Sequence, residues 1–237
     1  MIDFLLNIWN IIVYQPSYNL VVVTYSITPG PSLASAIIGI AILIRFIFLP
    51  FTLRGHEQDQ ILQKVKPELD KVEEDKHLTS REKYNKIAEI TKPYGINPFV
   101  ESIPIFVQVV FMIALYQILQ VGIDSSGYYN LYSFVSPPAS INTSFFWFDV
   151  QNTFVWIPAL IAAGLMFLER IIEYNEKKEA GLESLSQKWD PLILPAITFI
   201  ILLFLPSAKS IFVATSITFS LAILTIMRLG RPIIKKN

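Results

Sequence analysis

The chain is organised around the run Ser32-Leu-Ala-Ser-Ala-Ile-Ile-Gly-Ile-Ala-Ile-Leu-Ile-Arg-Phe-Ile-Phe-Leu-Pro-Phe-Thr-Leu53. From Leu33 to Phe51 almost every residue is apolar or small, and a helix of this length crosses the roughly 30 Å hydrocarbon core of a bilayer. Arg45 interrupts the run about 12 Å from its C-terminal end. An unpaired guanidinium at this depth costs on the order of 2.5 to 3.5 kcal/mol. Arg45 is therefore either an arginine whose head snorkels to the nearer interface or a functional cation inside the membrane.

The composition of the whole chain predicts a membrane protein. Of its 237 residues, 53% are hydrophobic, and the mean hydropathy is +0.49. The 19 basic and 19 acidic residues cancel in number, but they are segregated along the chain, so their positions carry more information than their sum. The absence of cysteine excludes disulfides, thiol nucleophiles, cysteine-ligated metals and a lipid-modified N-terminal cysteine.

Residues 1–31 are predicted to form an interfacial N-terminal segment with a helix. The start is apolar but has no Lys or Arg before the first span, so it does not have the pattern of a cleaved signal peptide. Its aromatic residues suit the headgroup level of a membrane, namely Trp9, Tyr14, Tyr18 and Tyr25. We expect the prolines of the segment to break the helical run before the first span, at Pro16, Pro29 and Pro31.

A charged segment of mixed sign, residues 54–92, follows the first span and predicts a helical hairpin outside the bilayer. Thr79 and Glu82 form a capping-box pattern that starts the second arm of this hairpin. Further spans are predicted at about 98–121, 153–168, 191–205 and 210–227, before a short basic tail at 229–237. The fold class is therefore all-α, a polytopic membrane protein with five transmembrane helices in a core of residues 32–228.

The positions of Lys and Arg predict the orientation, because basic loops stay in the cytoplasm. The hairpin, residues 171–190 and the tail hold almost all of them, so these parts are expected inside and residues 122–152 outside. The N-terminus is then outside and the C-terminus cytoplasmic. Apart from Arg45, and from Arg170 and Arg228 at the borders of these segments, only Lys209 lies elsewhere, and we expect its stem to snorkel outward.

Five motifs in this order resemble the YidC family of membrane protein insertases, which has relatives in mitochondria and chloroplasts. The resemblance covers about residues 17–228 and rests on Leu43-Ile-Arg-Phe-Ile-Phe-Leu-Pro-Phe-Thr-Leu53, Gly95-Ile-Asn-Pro98, Ile103-Pro-Ile-Phe-Val-Gln108, Ala114-Leu-Tyr-Gln117 and Phe204-Leu-Pro-Ser-Ala208. It implies five core helices around a polar groove that is open to cytoplasm and lipid and closed outside, with a basic residue at the position of Arg45. The chain departs from the family pattern at Glu101 and Glu169, where many relatives carry neutral residues.

The resemblance also implies location and partners. The location is the plasma membrane of a bacterium. The partners are nascent membrane proteins and the lipid bilayer, with the ribosome and the Sec translocon as further candidates; the short tail makes ribosome contact a weaker expectation. No specificity for nucleic acid is expected.

The implied function is a membrane protein insertase and chaperone, not an enzyme. A polar or acidic flank of a nascent helix must cross hydrocarbon, and a groove of half the membrane depth shortens that path. Helix counting puts Gln108 and Thr218 near the depth of Arg45. We predict that Arg45, Glu101, Gln108, Gln117 and Thr218 line the groove, with Glu101 partly offsetting the arginine. No nucleotide, metal or other cofactor is expected, since the chain has no glycine-rich phosphate loop of the Walker type.

Two other function classes compete with this interpretation. A small-solute transporter or channel would also put charges inside a bundle, but the chain shows no inverted repeat of its spans. A membrane-embedded enzyme is disfavoured, because the spans contain no histidine and the chain has no His-Glu-x-x-His motif. Solute flux in proteoliposomes separates the first rival from an insertase.

Overall fold

The computed structural model describes residues 2–28, 30–75, 77–95, 99–121, 127–179 and 189–229. The helices are α1 (Ile2–Trp9), α2 (Gln15–Ile27), α3 (Leu33–Glu74), α4 (Ser80–Thr91), α5 (Phe99–Val121), α6 (Trp156–Glu179), α7 (Asp190–Leu203) and α8 (Ser207–Leu229). A π-helical turn, Asn10–Tyr14, joins α1 to α2, and 3-10 turns occur at Lys92–Tyr94 and Tyr128–Asn130. One short antiparallel pair joins β1 (Ser144–Phe145) to β2 (Phe148–Asp149). This architecture fits an all-α membrane protein.

The predicted first span and the first arm of the predicted hairpin form one uninterrupted helix, α3. Ser32 caps it by accepting a hydrogen bond from the Ser35 N–H at 3.2 Å, and Pro50 and Pro67 lie inside it. Its 42 residues extend about 63 Å, roughly twice the thickness of a hydrocarbon core. A large part of α3 must therefore project beyond any bilayer that its apolar half crosses.

The second arm of the hairpin is α4, which folds back against α3. The expected capping box is present: the Glu82 carboxylate accepts hydrogen bonds from the N–H and the hydroxyl of Thr79, at 2.8 and 2.7 Å. These bonds stabilise the charged carboxylate and hold the pKa of Glu82 below its usual range. The hairpin turn is thus fixed by local polar bonds, since α4 buries no residue.

The expectation that Pro16 breaks the N-terminal run is wrong. Helical structure continues from α1 through the π-helical turn into α2 and ends only at Ile27. Pro16 lies in the first turn of α2, directly after the wider π-helical turn, where a missing N–H costs little. The N-terminal run packs against α3 and α5 and buries several residues of α2, among them Tyr18, Val21 and Val22.

Two hydrophobic clusters form the interior, and α8 contributes to both. The first joins α2, α3, α5 and α8 around Ile40, Leu115 and Phe212. The second joins α6, α7 and α8 around Ala162, Leu202 and Ile217. Small residues of α6 are fully or almost fully buried at Ala159, Ala162 and Ala163, which lets the neighbouring helices approach closely.

Large apolar side chains also cover much of the outer surface of the described helices. On α7 the exposed set is Leu192, Ile193, Leu194, Ile197, Ile200 and Ile201, and on α5 it includes Phe106, Val109 and Ile113. Contiguous apolar surface of this kind indicates contact with lipid or a partner. Within the described residues, two stretches are long and apolar enough to cross a membrane, Leu33–Arg54 and Ser207–Met227, and Phe106–Gln120 and Asp190–Leu203 are shorter apolar helices.

One end of the bundle is closed by residues 127–155, which we call the α5–α6 loop; this end is the loop end. The loop holds the first turns of two helices: Asn142 O accepts from the Leu33 N–H of α3, and Asn152 O accepts from the Ser207 N–H of α8, both at 2.8 Å. Asn19 of α2 binds the loop from the other side. Its amide donates to Asn130 O at 2.8 Å. A single segment thus holds the starts of α3 and α8 and a residue in the first half of α2.

We expect Asn19→Ala to destabilise the protein by about 1–3 kcal/mol, because the buried Asn130 carbonyl and the Tyr132 N–H lose their partner. Asn19 is 3% exposed, and its Oδ1 accepts from that N–H at 2.7 Å. The measurement is the apparent unfolding temperature of the purified protein in detergent. Asn7→Ala is the matched control, since Asn7 is exposed on α1. Equal unfolding temperatures for the two variants would show that the loop is not held in this way.

Candidate functional site

Arg45 lies inside the apolar half of α3 with its side chain only partly exposed. Its Nε atom is buried without a hydrogen-bond partner. Among the described residues, the only ion pair within 4 Å joins Arg170 to Glu173 on α6, so no carboxylate there neutralises Arg45 at contact distance. The guanidinium is therefore enclosed by protein and keeps unused hydrogen-bonding capacity.

Among the described residues, Glu169 of α6 is the acidic residue whose charge acts on Arg45. Its side chain is 8% exposed. By helical rise, Arg45 lies about 18 Å from the start of α3 and Glu169 about 20 Å from the start of α6. Both helix starts adjoin the loop end. The α5–α6 loop leads directly into α6, and its Phe154 N–H donates to Leu203 O of α7 at 2.8 Å. The two charges are thus at a similar level in the bundle.

The helix α8 packs against both α3 and α6, so Arg45 and Glu169 belong to helices that share this neighbour. Sequence reasoning recognised Glu169 as an unusual acid for the family but did not connect it to Arg45. It proposed Glu101 as the offsetting carboxylate instead, and the side chain of Glu101 lies outside the described residues. Equal counting from the loop end along α3 and α6 was the one signal that could have paired Arg45 with Glu169.

Gln108 and Thr218 occupy the helices expected for the groove. Gln108 is partly buried on α5, and Thr218 is exposed on α8, where its hydroxyl donates to Ala214 O at 2.8 Å. The rings of Phe46 and Phe219 meet edge to face with centroids 4.9 Å apart. This contact brings the segment of α3 that carries Arg45 beside the segment of α8 that carries Thr218.

Gln117 is engaged at a different place from the other predicted residues. Its Oε1 accepts a hydrogen bond from the Trp9 Nε1 at 2.8 Å, near the C-terminal end of α5. This bond connects the N-terminal helical run to α5 at the loop end. Gln117 thus already has a partner within the chain, and its amide contributes to the closed end of the bundle.

Lys209, in the first turn of α8, does not snorkel outward as expected. It is 4% exposed, and its Nζ lies 3.9 Å from the centroid of the Tyr116 ring on α5. The α5–α6 loop covers the start of α8, where the Ala208 N–H donates to Val150 O at 2.8 Å. The cation–π contact takes the place of water around the ammonium group. No sequence signal used above connected Tyr116 with Lys209.

In the part of the chain that the structure describes, no group of three or more His, Asp or Glu side chains could hold a metal ion. The arrangement instead consists of isolated charges, amides and hydroxyls between apolar helices. Groups of these kinds can attract charges and form hydrogen bonds. The fold and these buried polar groups thus define a helical membrane protein with charged residues inside its bundle.

Comparison with known proteins gives the family. The sequence model of the family described as 60Kd inner membrane protein matches residues 23–232, and the chain belongs to this family, which is the YidC family. This result confirms the resemblance seen in the motifs.

Individual relatives carry insertase names. The chain is 22% identical over 236 residues to "Membrane protein insertase MisCA" of Bacillus subtilis, covering 98% of this chain and 82% of the relative. It is 35% identical over 95 residues to "Membrane protein insertase YidC" of Fusobacterium nucleatum, covering 38% and 46%. It is 30% identical over 149 residues to "Membrane protein insertase YidC 1" of Staphylococcus epidermidis, covering 58% and 49%. The matches thus span about half the length of the last two relatives.

A double-mutant cycle should detect the interaction between Arg45 and Glu169. We expect Arg45→Met and Glu169→Gln to be coupled by about 0.5–1 kcal/mol in the free energy of unfolding, because removal of one charge leaves the other without compensation. The measurement is unfolding of the purified protein in detergent or bicelles. Arg45→Met combined with Asp190→Asn is the control cycle, since Asp190 is exposed at the start of α7. Coupling as small as in the control cycle would contradict the interaction.

Proposed function

We propose that this chain is a membrane protein insertase and chaperone, and not an enzyme. Membership of the YidC family and the insertase names of its relatives support this function. The single structural observation that carries the proposal is the enclosed Arg45 guanidinium, with an unpaired Nε, in an apolar helix. A cation held in this way attracts an acidic segment that enters the bundle.

The proposed route is a hydrophilic groove of half the membrane depth. Arg45, Gln108 and Thr218 line it, Glu101 lies nearer its cytoplasmic mouth, and Gln117 lies at its closed end. A client enters with its polar flank in the groove while its apolar part leaves sideways into lipid. Because Glu169 compensates Arg45 only from a distance, the cation stays able to bind a client carboxylate. Attraction and hydration drive the step, so no nucleotide is hydrolysed.

The proposed topology has five spans, at about 32–53, 98–121, 153–168, 191–205 and 210–227. Residues 1–31 lie along the outer interface, and the tail, 229–237, lies almost entirely outside the described residues. The length of α3 supports a hairpin that projects into the cytoplasm, since the helix continues well past its apolar half. The clients are nascent membrane proteins. The ribosome and the Sec translocon are candidate partners on the cytoplasmic and lateral sides.

Cysteine labelling tests this topology, because the chain has no native cysteine. Single cysteines are introduced at Ser80, Ser133 and Asn237. In intact cells an impermeant maleimide should label only the cysteine at position 133, because the α5–α6 loop is outside. After cell lysis all three should react, which controls for reactivity. Labelling at position 80 in intact cells would reverse the orientation.

Substitution of Arg45 tests the function itself. We expect Arg45→Ala to lower insertion of clients with acidic outer flanks by about tenfold, the equivalent of about 1.4 kcal/mol of lost attraction. Arg45→Lys should retain much of the activity because charge is the main requirement, and Arg45→Glu should be worse than Arg45→Ala. The measurement is protease protection of the client flank in proteoliposomes.

The control variant for this series is Arg54→Ala, which removes an exposed arginine from the same helix. Clients with neutral flanks serve as the second control and should change little in any variant. If a folded Arg45→Ala protein inserts every acidic client at the rate of the unsubstituted protein, the electrostatic pull is wrong. The groove would then act only by hydration and local thinning of the bilayer.

A further inference from the structure

Lys209 is a buried cation that the route described above does not use. Its ammonium group lies over the Tyr116 ring at the loop end. Within the described residues no carboxylate lies within 4 Å of its Nζ. An aromatic ring attracts a cation through its quadrupole but carries no net charge. The contact therefore stabilises the ammonium group in a buried position without cancelling its charge, as a carboxylate would.

Lys209 and the α3 segment that carries Arg45 lie towards opposite ends of one face of α8. Lys209, Phe212, Ser216 and Phe219 follow i, i+3, i+7 and i+10 spacing, which puts them on the same face. At one end of this face Phe219 contacts Phe46, the neighbour of Arg45. Between the two cations Phe212 packs against Phe111 of α5, with ring centroids 5.5 Å apart. The Phe111–Phe212 ring pair thus lies between the level of Arg45 and that of Lys209.

The depth of each cation follows from the loop that holds both helix starts. The Leu33 and Ser207 N–H groups both donate to carbonyls of the α5–α6 loop, so α3 and α8 begin at a common level. By helical rise, Lys209 lies about 3 Å from that level and Arg45 about 18 Å from it, both in the direction away from the loop end. The two positive charges are therefore about 15 Å apart in depth.

We propose that Lys209 is a second cationic site, which receives the acidic flank of a client after the flank leaves Arg45. The proposal rests on the proposed insertase function and adds a further step to it. A carboxylate that moves outward from Arg45 loses the electrostatic attraction of the guanidinium. It must then pass the ring pair of Phe111 and Phe212. Lys209, which lies beyond that ring pair, attracts the carboxylate once it has passed the rings. The ligand class is a carboxylate side chain in the outer flank of a nascent membrane helix.

The test uses the full-length protein in proteoliposomes and two clients that differ only by Asp or Asn in the outer flank. Lys209→Met keeps the length of the stem over Tyr116 and removes the charge. We expect it to lower translocation of the Asp client about three- to tenfold and to leave the Asn client unchanged. Lys209→Arg should restore the Asp client. Lys178→Met is the control, since it removes an exposed lysine near the end of α6.

A trapping measurement reports on the order of the two sites. A cysteine in the client flank is oxidised with a cysteine at position 218, near the level of Arg45. In the Lys209→Met protein the disulfide-trapped fraction of the Asp client should rise, because the flank stays bound near Arg45 for longer. A purely structural role for Lys209 would not raise it. If Lys209→Met does not fold, Lys209→Gln repeats both measurements with a polar neutral side chain.

Equal loss of the Asp and Asn clients in a folded variant would overturn the proposal, since that result indicates a packing role. Normal insertion of the Asp client by Lys209→Met, together with a defect in Arg45→Ala, would overturn the second site and leave the insertase function standing. If the unsubstituted protein inserts neither client, the proposed function fails first, and the role of Lys209 fails with it.

Discussion

The structure depends on one constraint, which is that a guanidinium must be accommodated inside an apolar helix. Arg45 cannot be solvated by lipid, so its surroundings must supply polarity. The bundle supplies it at long range: Glu169 reaches the same level from α6, and α8 lies against both α3 and α6. A direct ion pair would satisfy the arginine more fully but would also neutralise it. The observed arrangement lowers the cost of burial and leaves Nε free.

A second requirement is that the helices keep their relative levels along the bundle axis. The α5–α6 loop meets this requirement, because its carbonyl groups accept hydrogen bonds from N–H groups at the starts of α3 and α8 and from the side-chain amide of Asn19. Unpaired N–H groups at a helix start need partners in any case, so the same bonds both cap the helices and close one end of the bundle. The opposite end has no such closure in the described residues, since α4 packs on α3 but buries no residue of its own. This asymmetry supports the proposed polar path, which is closed at one end.

The sequence predicted the features that depend on local pattern. The hydropathy of residues 33–53 indicated the first helix, and the spacing of Thr79 and Glu82 indicated the start of α4. Features that depend on contacts between distant residues were not predictable in the same way. No local sequence pattern around Pro16 predicts the π-helical turn that lets the helix continue there, and none around Lys209 predicts its contact with the Tyr116 ring. Arg45 on α3 and Glu169 on α6 are separated in the chain by α4 and α5. Their relation emerges only when the helix starts are known to share a level.

The charges of Arg45 and Lys209 are compensated to different degrees, and this difference favours movement of a client in one direction without nucleotide. Arg45 is offset by a buried carboxylate at its own level, whereas Lys209 rests on a neutral ring. On the proposed route, an acidic flank would therefore meet a partly compensated positive charge first and an uncompensated one nearer the loop end. Electrostatic energy then decreases along the path outward, and at the loop end the flank is near water that can solvate it. The apolar part of the client gains stability by leaving into lipid over the same distance. Along the proposed route, the client's own solvation and burial would supply the free energy for insertion.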